Sequence, residues 1–247
     1  MIVERARARD IQRGLLPVRL PDFQDFSLRA FYEPTDEVAG DFYDIAQLSD
    51  GSLCVFLCDV TGHGVPAAMI AAMAKLLFSV LSSELHSPAR FLTSMNDLLT
   101  GKLANNFITC FCGVFQKNEK GEPSLKFATA GHHTPLLIRG QDARSLSGVG
   151  GPAIGLFAGR QYRESSIALE AEDRIFLYTD GLTEVFNDHR EMFENILAGK
   201  IATMSDLSLQ EQVLGIVRAA ADFQGFGGFA DDVTLVGIEV YPPRSAA

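Results

Sequence analysis

The order of apolar and polar positions along the chain predicts strands in blocks, with helices between and after them. Strand-like runs lie within residues 26–60 and at residues 107–115, 124–130, 135–139, 162–169, 173–179 and 233–241. Helix-like spacing is found at residues 3–16, 65–85, 87–102, 190–197 and 209–223. Because the strands do not alternate strictly with helices, the pattern predicts antiparallel sheets in an α+β fold.

Several predicted strands are continuous apolar runs, such as VFLC at residues 55–58 and IFLY at residues 175–178. Strands of this kind are covered on both faces, whereas a strand with one wet face alternates apolar and polar residues. The sequence therefore predicts a four-layer αββα sandwich, in which two antiparallel sheets pack on each other and helices cover their outer faces.

Composition favours one large domain. The chain has 247 residues, 47% of them hydrophobic, enough for a core that buries roughly three-quarters of the unfolded surface. The longest apolar stretch, residues 65–81, is interrupted by Lys75, and no signal-peptide pattern precedes it, so we expect neither a membrane span nor secretion. The four cysteines lie in apolar runs without zinc-type spacing, which predicts reduced core thiols in a cytoplasmic protein.

The first predicted helix, residues 3–16, begins without a capping residue and is too short to be stable alone. We therefore expect residues 1–18 to be a linker helix that continues from an upstream domain, and residues 19–242 to form the folded domain. The helix would pack on its own domain or form a homodimer with the same helix of a second chain.

The charge balance argues against one class of partner. The chain carries 21 Lys and Arg residues against 31 Asp and Glu residues, a formal net charge of −10. Proteins that bind nucleic acids through phosphate contacts normally carry a positive excess. We therefore expect no nucleic-acid partner, and a two-metal nuclease is disfavoured for the same reason.

Carboxylates stand at strand ends or in tight turns at four places in the sequence. They are Asp41 and Asp44 in AGDFYD, Asp59 and Asp180 at the ends of apolar runs, and Asp231 and Asp232 before the last strand. A single aspartate in such a place is most often a turn or cap residue, because its side chain bonds to nearby backbone. Several of them on strands that share a sheet can converge at one edge.

Convergence of these carboxylates would require positive charge. Two carboxylates about 4 Å apart repel by about 4 kcal/mol at an effective dielectric of about 20, and no Lys or Arg lies beside the motifs in the sequence. Hard divalent cations with oxygen ligands, Mn²⁺ or Mg²⁺, meet this need, and no His or Cys pattern indicates zinc. Two such ions about 4 Å apart can activate water for in-line attack on a phosphate ester. The residues alone thus indicate a metal-dependent phosphoester hydrolase.

Six motifs in register also carry a family resemblance: AGDFYD, CDVTGHGVPAAM, NNFITCFCGVF, ATAGHHTPLLI, YTDGLTEVFN and DDVTL. Together they resemble the metal-dependent Ser/Thr protein phosphatases of the protein phosphatase 2C superfamily, and within it the bacterial SpoIIE and RsbU branch. The similarity runs from about residue 11 to residue 240, and IQRGLLP resembles the segment that joins sensor or receiver domains to this phosphatase domain. It implies an αββα sandwich with a two-metal site at one end of the sheets.

The resemblance implies a role for each matched ligand. Asp59 would bridge the two ions, with the backbone carbonyl of Val60 as a further ligand. Asp180 and Asp231 would bind the first ion, and Asp41 would help to hold the second. Asp59 and Asp180 would thus act in catalysis through the water that the ions activate.

Three more residues are assigned by comparison with the family pattern. Asp232 stands where the family often has Asn, so Asp231 is the preferred ligand of the pair. Asp44 is expected to support the ligands rather than to bind metal directly. His63 is considered as a general acid, but Thr61 occupies the place of the general-acid His of eukaryotic members, and a structural role in the turn is preferred.

Two functions follow from the residues and the resemblance. The first is a protein-serine/threonine phosphatase, the output domain of a signalling protein or response regulator, acting on a small phosphoprotein such as an anti-sigma-factor antagonist. The second is a non-enzymatic adaptor that keeps the fold to bind a sigma factor or similar partner. The phosphatase is preferred, because an adaptor has no chemical need for a cluster of like charges.

Overall fold

The computed structural model describes residues 2–17, 20, 23, 25–148, 150–225 and 227–242. Positions 1 and 18 of the predicted linker helix therefore lie outside the described residues. The chain divides into two units by its internal contacts. Unit 1 comprises Met1–Arg19, Asp36–His132 and Gly148–Ala168, and unit 2 comprises Leu20–Thr35, His133–Ser147 and Leu169–Ala247.

The described residues form helices and strands in mixed order along the chain. The helices are α1 (Ile2–Arg13), α2 (Gly64–Val80), α3 (Pro88–Leu99), α4 (Asp180–Thr183), α5 (Glu194–Ala202) and α6 (Leu209–Gln224). The strands are β1 (Phe26–Glu33), β2 (Phe42–Gln47), β3 (Leu53–Val60), β4 (Ile108–Lys117), β5 (Pro123–Ala130), β6 (Leu136–Arg139), β7 (Asp142–Ser145), β8 (Gly150–Gly151), β9 (Ser165–Ala168), β10 (Arg174–Tyr178) and β11 (Val233–Val240).

Unit 1 is built on a sheet of order β2-β3-β4-β5-β8, with β9 also paired to β5. β2 and β3 form a hairpin, in which Gly51 takes a positive φ of 83°. One face of β3 packs against α2 and α3, where the ring of Phe56 lies 5.5 Å from that of Phe78 and 5.4 Å from that of Phe91. Ser87 caps the start of α3, because its side chain accepts a hydrogen bond from the N–H of Arg90.

Unit 2 is built on a sheet of order β1-β11-β10-β6-β7, which is antiparallel throughout. α5 and α6 bury their apolar faces in a core that includes Phe176 and Leu235 of the sheet. Gly237 lets α6 approach β11, because a Cβ there would lie 3.0 Å from side-chain carbons of Leu209 and Val213. The sheet is therefore covered by helices on this face.

The predicted α+β class, with two sheets and flanking helices, is confirmed; the strand pairs are antiparallel except β5 with β8, which are parallel. Two strands, β7 and β8, were not predicted. β7 is a polar edge strand and β8 consists of two glycines, so neither has residues with a high strand propensity. Both are strands because their backbones are hydrogen-bonded to neighbouring strands. The helix predicted at residues 190–197 begins only at Glu194. Arg190 before it has a positive φ of 60° in a turn closed by the side chain of Asn187.

Among the helices that the structure describes, none combines the length and the apolar character that crossing a membrane requires.

Candidate metal centre

The first set of predicted ligands lies at the open end of the β2–β3 hairpin in unit 1. Asp41 directly precedes β2 and is 2% exposed, and Asp59, the penultimate residue of β3, is half-buried. Phe42 pairs with Cys58 across the hairpin, so Asp41 and Asp59 occupy the next pair of positions outward. The hairpin register therefore brings these two carboxylates to one strand end.

Gly40 places the Val60 carbonyl at the same strand end. A Cβ at position 40 would lie 2.8 Å from the carbonyl oxygen of Val60 and 3.4 Å from that of Gly62. The first distance is too short for any side chain, so only glycine allows the chain before Asp41 to pass this close. The predicted backbone ligand is thus held beside the segment that carries Asp41.

The carboxylates of this set act together on a neighbouring thiol. The pKa of the buried Cys58 thiol is raised, chiefly by desolvation and further by Cys110, Asp41 and Asp59. The thiol therefore stays protonated, as expected of a core cysteine. Asp41 and Asp59 therefore both lie close enough to the Cys58 sulfur to raise its pKa.

The turn after Asp59 is fixed by Thr61 and leaves His63 in solvent. The backbone N–H of Thr61 donates to the carbonyl of Phe107 over 3.1 Å, and its hydroxyl accepts from the N–H of Phe107 over 3.0 Å. The side chain of His63 is 84% exposed, with Nδ1 3.3 Å from a carboxylate oxygen of Asp36. An exposed histidine paired with an exposed aspartate suits a turn residue, so the general-acid hypothesis gains no support here.

Asp44 is paired with a cation that the sequence pattern did not reveal. Lys75 of α2 forms an ion pair with Asp44, whose side chain is 8% exposed. The absence of Lys and Arg beside the acidic motifs in the sequence therefore does not hold for the folded chain at Asp44. Lys75 is 31 positions away in the chain and reaches Asp44 only because α2 packs on the hairpin. This pairing agrees with a supporting role for Asp44.

We expect Lys75→Met to lower the free energy of unfolding by about 2 kcal/mol or more, because it leaves the buried carboxylate of Asp44 without its cation. Urea denaturation of the metal-free protein measures the change. Adding Asp44→Asn to the same chain should recover most of the loss. Simple addition of the two single effects would contradict a direct pairing.

The second set of predicted ligands lies where β10 and β11 meet in unit 2. Asp180 opens α4 just after β10, and Asp231 and Asp232 directly precede β11. Thr179 joins the two strands: its N–H donates to the carbonyl of Thr234 over 3.1 Å, and its hydroxyl accepts from the N–H of Thr234 over 3.0 Å. The two acidic segments are thus held side by side.

Gly181 brings the backbones of these segments into contact. A Cβ at position 181 would lie 2.1 Å from the carbonyl oxygen of Asp232 and 3.0 Å from that of Asp231. No side chain fits at the first distance without movement of the backbone. Gly181 thus plays the part in unit 2 that Gly40 plays in unit 1.

Asp180 lies in a negatively charged cavity. Its pKa is raised, first by desolvation and then by Asp231 and Glu184, while His133 acts in the opposite direction. Asp180, Glu184 and Asp231 line one cavity of about 240 Å³. Glu184 was not predicted, although its spacing four residues after Asp180 in DGLTE places both on one helical face.

The raised pKa of Asp180 means that its ionised form weakens the metal-free fold. Its folded pKa lies above the unfolded value of about 3.9, so its contribution to stability is fully present below that value and is lost as pH rises through the folded pKa. We expect metal-free Asp180→Asn to unfold at higher urea than wild type at neutral pH, with the difference shrinking in acid. A variant less stable than wild type at neutral pH would contradict this.

The carboxylate of Asp232 is hydrogen-bonded to the backbone. One of its carboxylate oxygens accepts from the N–H of Thr35 over 2.8 Å, and the side chain is buried. Asp231 is exposed, and its carboxylate accepts from the N–H of Asp232 over 2.8 Å. The preference for Asp231 as the ligand therefore fits the geometry of the pair.

A histidine lies near each set of predicted ligands. Nδ1 of His132 lies 3.0 Å from the hydroxyl of Thr109, and Thr109 is the cross-strand partner of Asp59. The ring of His133 lies 5.8 Å from that of Tyr178, and its electrostatic interaction with Asp180 acts to lower the pKa of that carboxylate. His132 thus lies next to the strand pair of Asp59, and His133 lies within electrostatic range of Asp180.

The donor chemistry of the two sets fits a hard divalent cation. In the part of the chain that the structure describes, no three His, Cys, Asp or Glu side chains stand close enough to hold a metal by themselves. The predicted ligands offer oxygen only, including the Val60 carbonyl, and Mg²⁺ and Mn²⁺ prefer such ligands. The raised pKa of Asp180 also indicates negative charge that a cation would offset.

Known proteins are similar to this chain in sequence and in fold. A family model described as Stage II sporulation protein E (SpoIIE) matches residues 49–241. Protein IcfG of Synechocystis is 26% identical over 96% of this chain, which spans 41% of IcfG. The phosphoserine phosphatase RsbU of Bacillus subtilis is 26% identical over 93% of this chain, which spans 68% of RsbU.

A solved structure gives the same result for the fold. The SiaA-PP2C domain of Pseudomonas aeruginosa superposes with a TM-score of 0.80 at 23% identity, covering 96% of this chain and 95% of that domain. The predicted resemblance to the SpoIIE and RsbU branch of the phosphatase superfamily is confirmed. Since the family model covers well over half of the 247 residues, the chain belongs to the SpoIIE family and has a PP2C-type fold.

Proposed function

We propose that this chain is a metal-dependent protein-serine/threonine phosphatase, the output domain of a bacterial signalling protein or response regulator. The observation that carries the proposal is the pair of all-oxygen acidic sets, each held at a strand end by a glycine that has no space for a side chain. Family membership and the similarity to the phosphoserine phosphatase RsbU support the same class of enzyme.

Two ions, Mn²⁺ or Mg²⁺, would be held by Asp41, Asp59, the Val60 carbonyl, Asp180 and Asp231. When bound, such ions supply an activated water and offset the charge of the phosphate. The protein fixes its oxygens in advance through the hairpin register and the Thr179 hydrogen bonds. This fixed geometry lowers the cost of reorganisation during the reaction.

The substrate would be phosphoserine or phosphothreonine on a small regulatory protein of the anti-sigma-factor antagonist type. Eukaryotic members place a phosphate-binding Arg before the Asp41 position, whereas this chain has Asp36 and Glu37 there. The phosphate would therefore be held mainly by the ions and by backbone groups.

An upstream sensor or receiver domain would act through α1. Gln12 of this helix is 8% exposed; its side chain donates to the carbonyl of Ala39 over 2.7 Å and accepts from the N–H of Ala39 over 2.8 Å. Ala39 lies two residues before Asp41, so a movement of α1 would shift the position of Asp41. We also propose that α1 forms a homodimer with the same helix of a second chain.

Metal-dependent hydrolysis tests the proposed function. Folded protein should hydrolyse p-nitrophenyl phosphate and a phosphoserine protein in Mn²⁺, lose both activities in EDTA, and regain them when Mn²⁺ is restored. If neither substrate is hydrolysed in the presence of Mn²⁺ or Mg²⁺, the proposed phosphatase function fails and the adaptor hypothesis takes its place. The negative charges of Asp231 and Glu184 beside Asp180 argue against the adaptor, because binding a partner protein does not require such a cluster.

A further inference from the structure

Unit 1 carries an open cleft that none of the predicted metal ligands lines. Its volume is about 1120 Å³, and it is lined by Gly148, Gly150, Pro152 and residues 157–163. This volume exceeds what one phosphate group fills and is at the upper end for ligand sites in proteins. The cleft therefore suits an extended segment better than a small ion.

The cleft is fixed to α3 by buried polar contacts. Asn96 is fully buried; its side chain donates to the carbonyl of Phe157 and accepts from the N–H of Gly155, each over 3.0 Å. The hydroxyl of Tyr162 donates to the carbonyl of Pro152 over 2.8 Å. These bonds hold the lining segment in one conformation, which reduces the entropy lost on binding.

The lining of the cleft is positively charged in a chain of net charge −10. Arg160 and Arg163 line it, and none of the described residues that line it carries a carboxylate. Among the described residues, neither guanidinium is ion-paired. Glu164, the nearest acid in sequence, is used at the start of α3, where it accepts from the Ser87 hydroxyl over 2.8 Å and from the Ala89 N–H over 3.1 Å.

The apolar side chain of Phe157 lines the cleft together with the two arginines, and Leu156 precedes it in the chain. Leu156 is 48% exposed and Phe157 is 60% exposed. Arginine forks pair with carboxylates through two parallel hydrogen bonds, whereas exposed leucine and phenylalanine side chains favour an apolar contact. The combination fits a protein segment that carries both acidic and apolar residues.

The segment that precedes the cleft residues is attached to the start of β4, the strand next to the one that carries Asp59. Ile154 exchanges backbone hydrogen bonds of 2.8 and 3.1 Å with Ile108. The residue after Ile108 is Thr109, which pairs with Asp59 across the ladder. The segment that lines the cleft is therefore anchored next to the strand pair that carries Asp59.

We propose that this cleft binds an acidic segment of the phosphoprotein substrate, with Arg160 and Arg163 pairing with its carboxylates. The inference rests on the proposed phosphatase function and adds the substrate class, phosphoproteins with an acidic and apolar stretch near the phosphorylated residue. Nucleic acid fits less well, because its regular line of phosphates would meet the net negative charge of the rest of the chain.

Direct binding tests the cleft without catalysis. The probe is a fluorescein-labelled peptide rich in Asp, Glu and Leu, compared by anisotropy with a Lys-containing peptide and a single-stranded oligonucleotide. We expect Arg160→Glu/Arg163→Glu to raise the Kd of the acidic peptide about tenfold or more, since two charge-assisted pairs are lost. The control Arg144→Glu/Lys120→Glu, which reverses two exposed charges elsewhere, should leave that Kd unchanged.

Three results would overturn the proposal: equal binding of the acidic and Lys-containing peptides, equal Kd values for wild type and the cleft variant, or tighter binding of the oligonucleotide. Turnover provides a second readout. The cleft variant should keep wild-type hydrolysis of p-nitrophenyl phosphate and lose kcat/KM only for a phosphoserine peptide with acidic flanks. If wild type hydrolyses nothing, the proposed function fails, while the binding measurement still decides whether the cleft takes acidic segments.

Discussion

Asp59→Asn is expected to reduce phosphatase activity by at least about 10³-fold, because the proposed bridging ligand contributes to the binding of both ions. Asp59 is half-buried at the end of β3, beside Asp41 and the Val60 carbonyl. Asparagine keeps its shape but removes the charge, so the fold should persist while the ions are held weakly. Hydrolysis of p-nitrophenyl phosphate over a range of Mn²⁺ concentrations measures the loss.

Asp97→Asn is the matched control, because Asp97 is exposed on α3 in the same unit. Its activity should equal that of wild type. Asp180→Asn should behave like Asp59→Asn, and the same variant is expected to stabilise the metal-free protein. Activity of Asp59→Asn within tenfold of wild type at every Mn²⁺ concentration would show that Asp59 is not a ligand.

Gly181→Ala is expected to lower the free energy of unfolding by about 3 kcal/mol and to remove activity with it. The new Cβ would lie 2.1 Å from the carbonyl oxygen of Asp232, so the backbone that carries Asp231 and Asp232 must move. Since Asp231 is a proposed ligand, the same movement would displace it from the ion.

Gly199→Ala provides the control in the same unit. Gly199 lies within α5, and a Cβ there would meet no atom within 4 Å. Alanine should therefore raise the free energy of unfolding by about 0.5–1 kcal/mol through its better helix propensity. Chemical denaturation of both variants gives the comparison, and a Gly181→Ala protein as stable and active as wild type would contradict the close backbone contact.

Much of the fold follows from local sequence patterns. The hairpin at Asp50-Gly51, the capped start of α3 at Ser87 and the apolar strands β3 and β10 each depend on residues that are neighbours in the chain. The acidic strand ends are recognisable for the same reason, since Asp59 and Asp180 break apolar runs. A set of carboxylates without neighbouring Lys or Arg in the sequence is enough to indicate a metal site with oxygen ligands.

Contacts between distant segments could not be predicted in this way. Lys75 pairs with Asp44 only after α2 has packed on the hairpin. Gln12 is hydrogen-bonded to the backbone of Ala39, which lies 27 positions further along the chain. The need for glycine at positions 40 and 181 depends on backbones that approach from elsewhere in the chain. Such contacts depend on tertiary packing, for which a single sequence carries no local signal.

Crystals of active protein soaked in Mn²⁺ test the central claim most directly through anomalous diffraction. We expect two manganese ions, one bound by Asp180 and Asp231, the other held with the help of Asp41, and both in contact with Asp59. The absence of any ion within coordination distance of Asp59 and Asp180, in a protein that hydrolyses phosphoserine, would contradict the proposed metal centre.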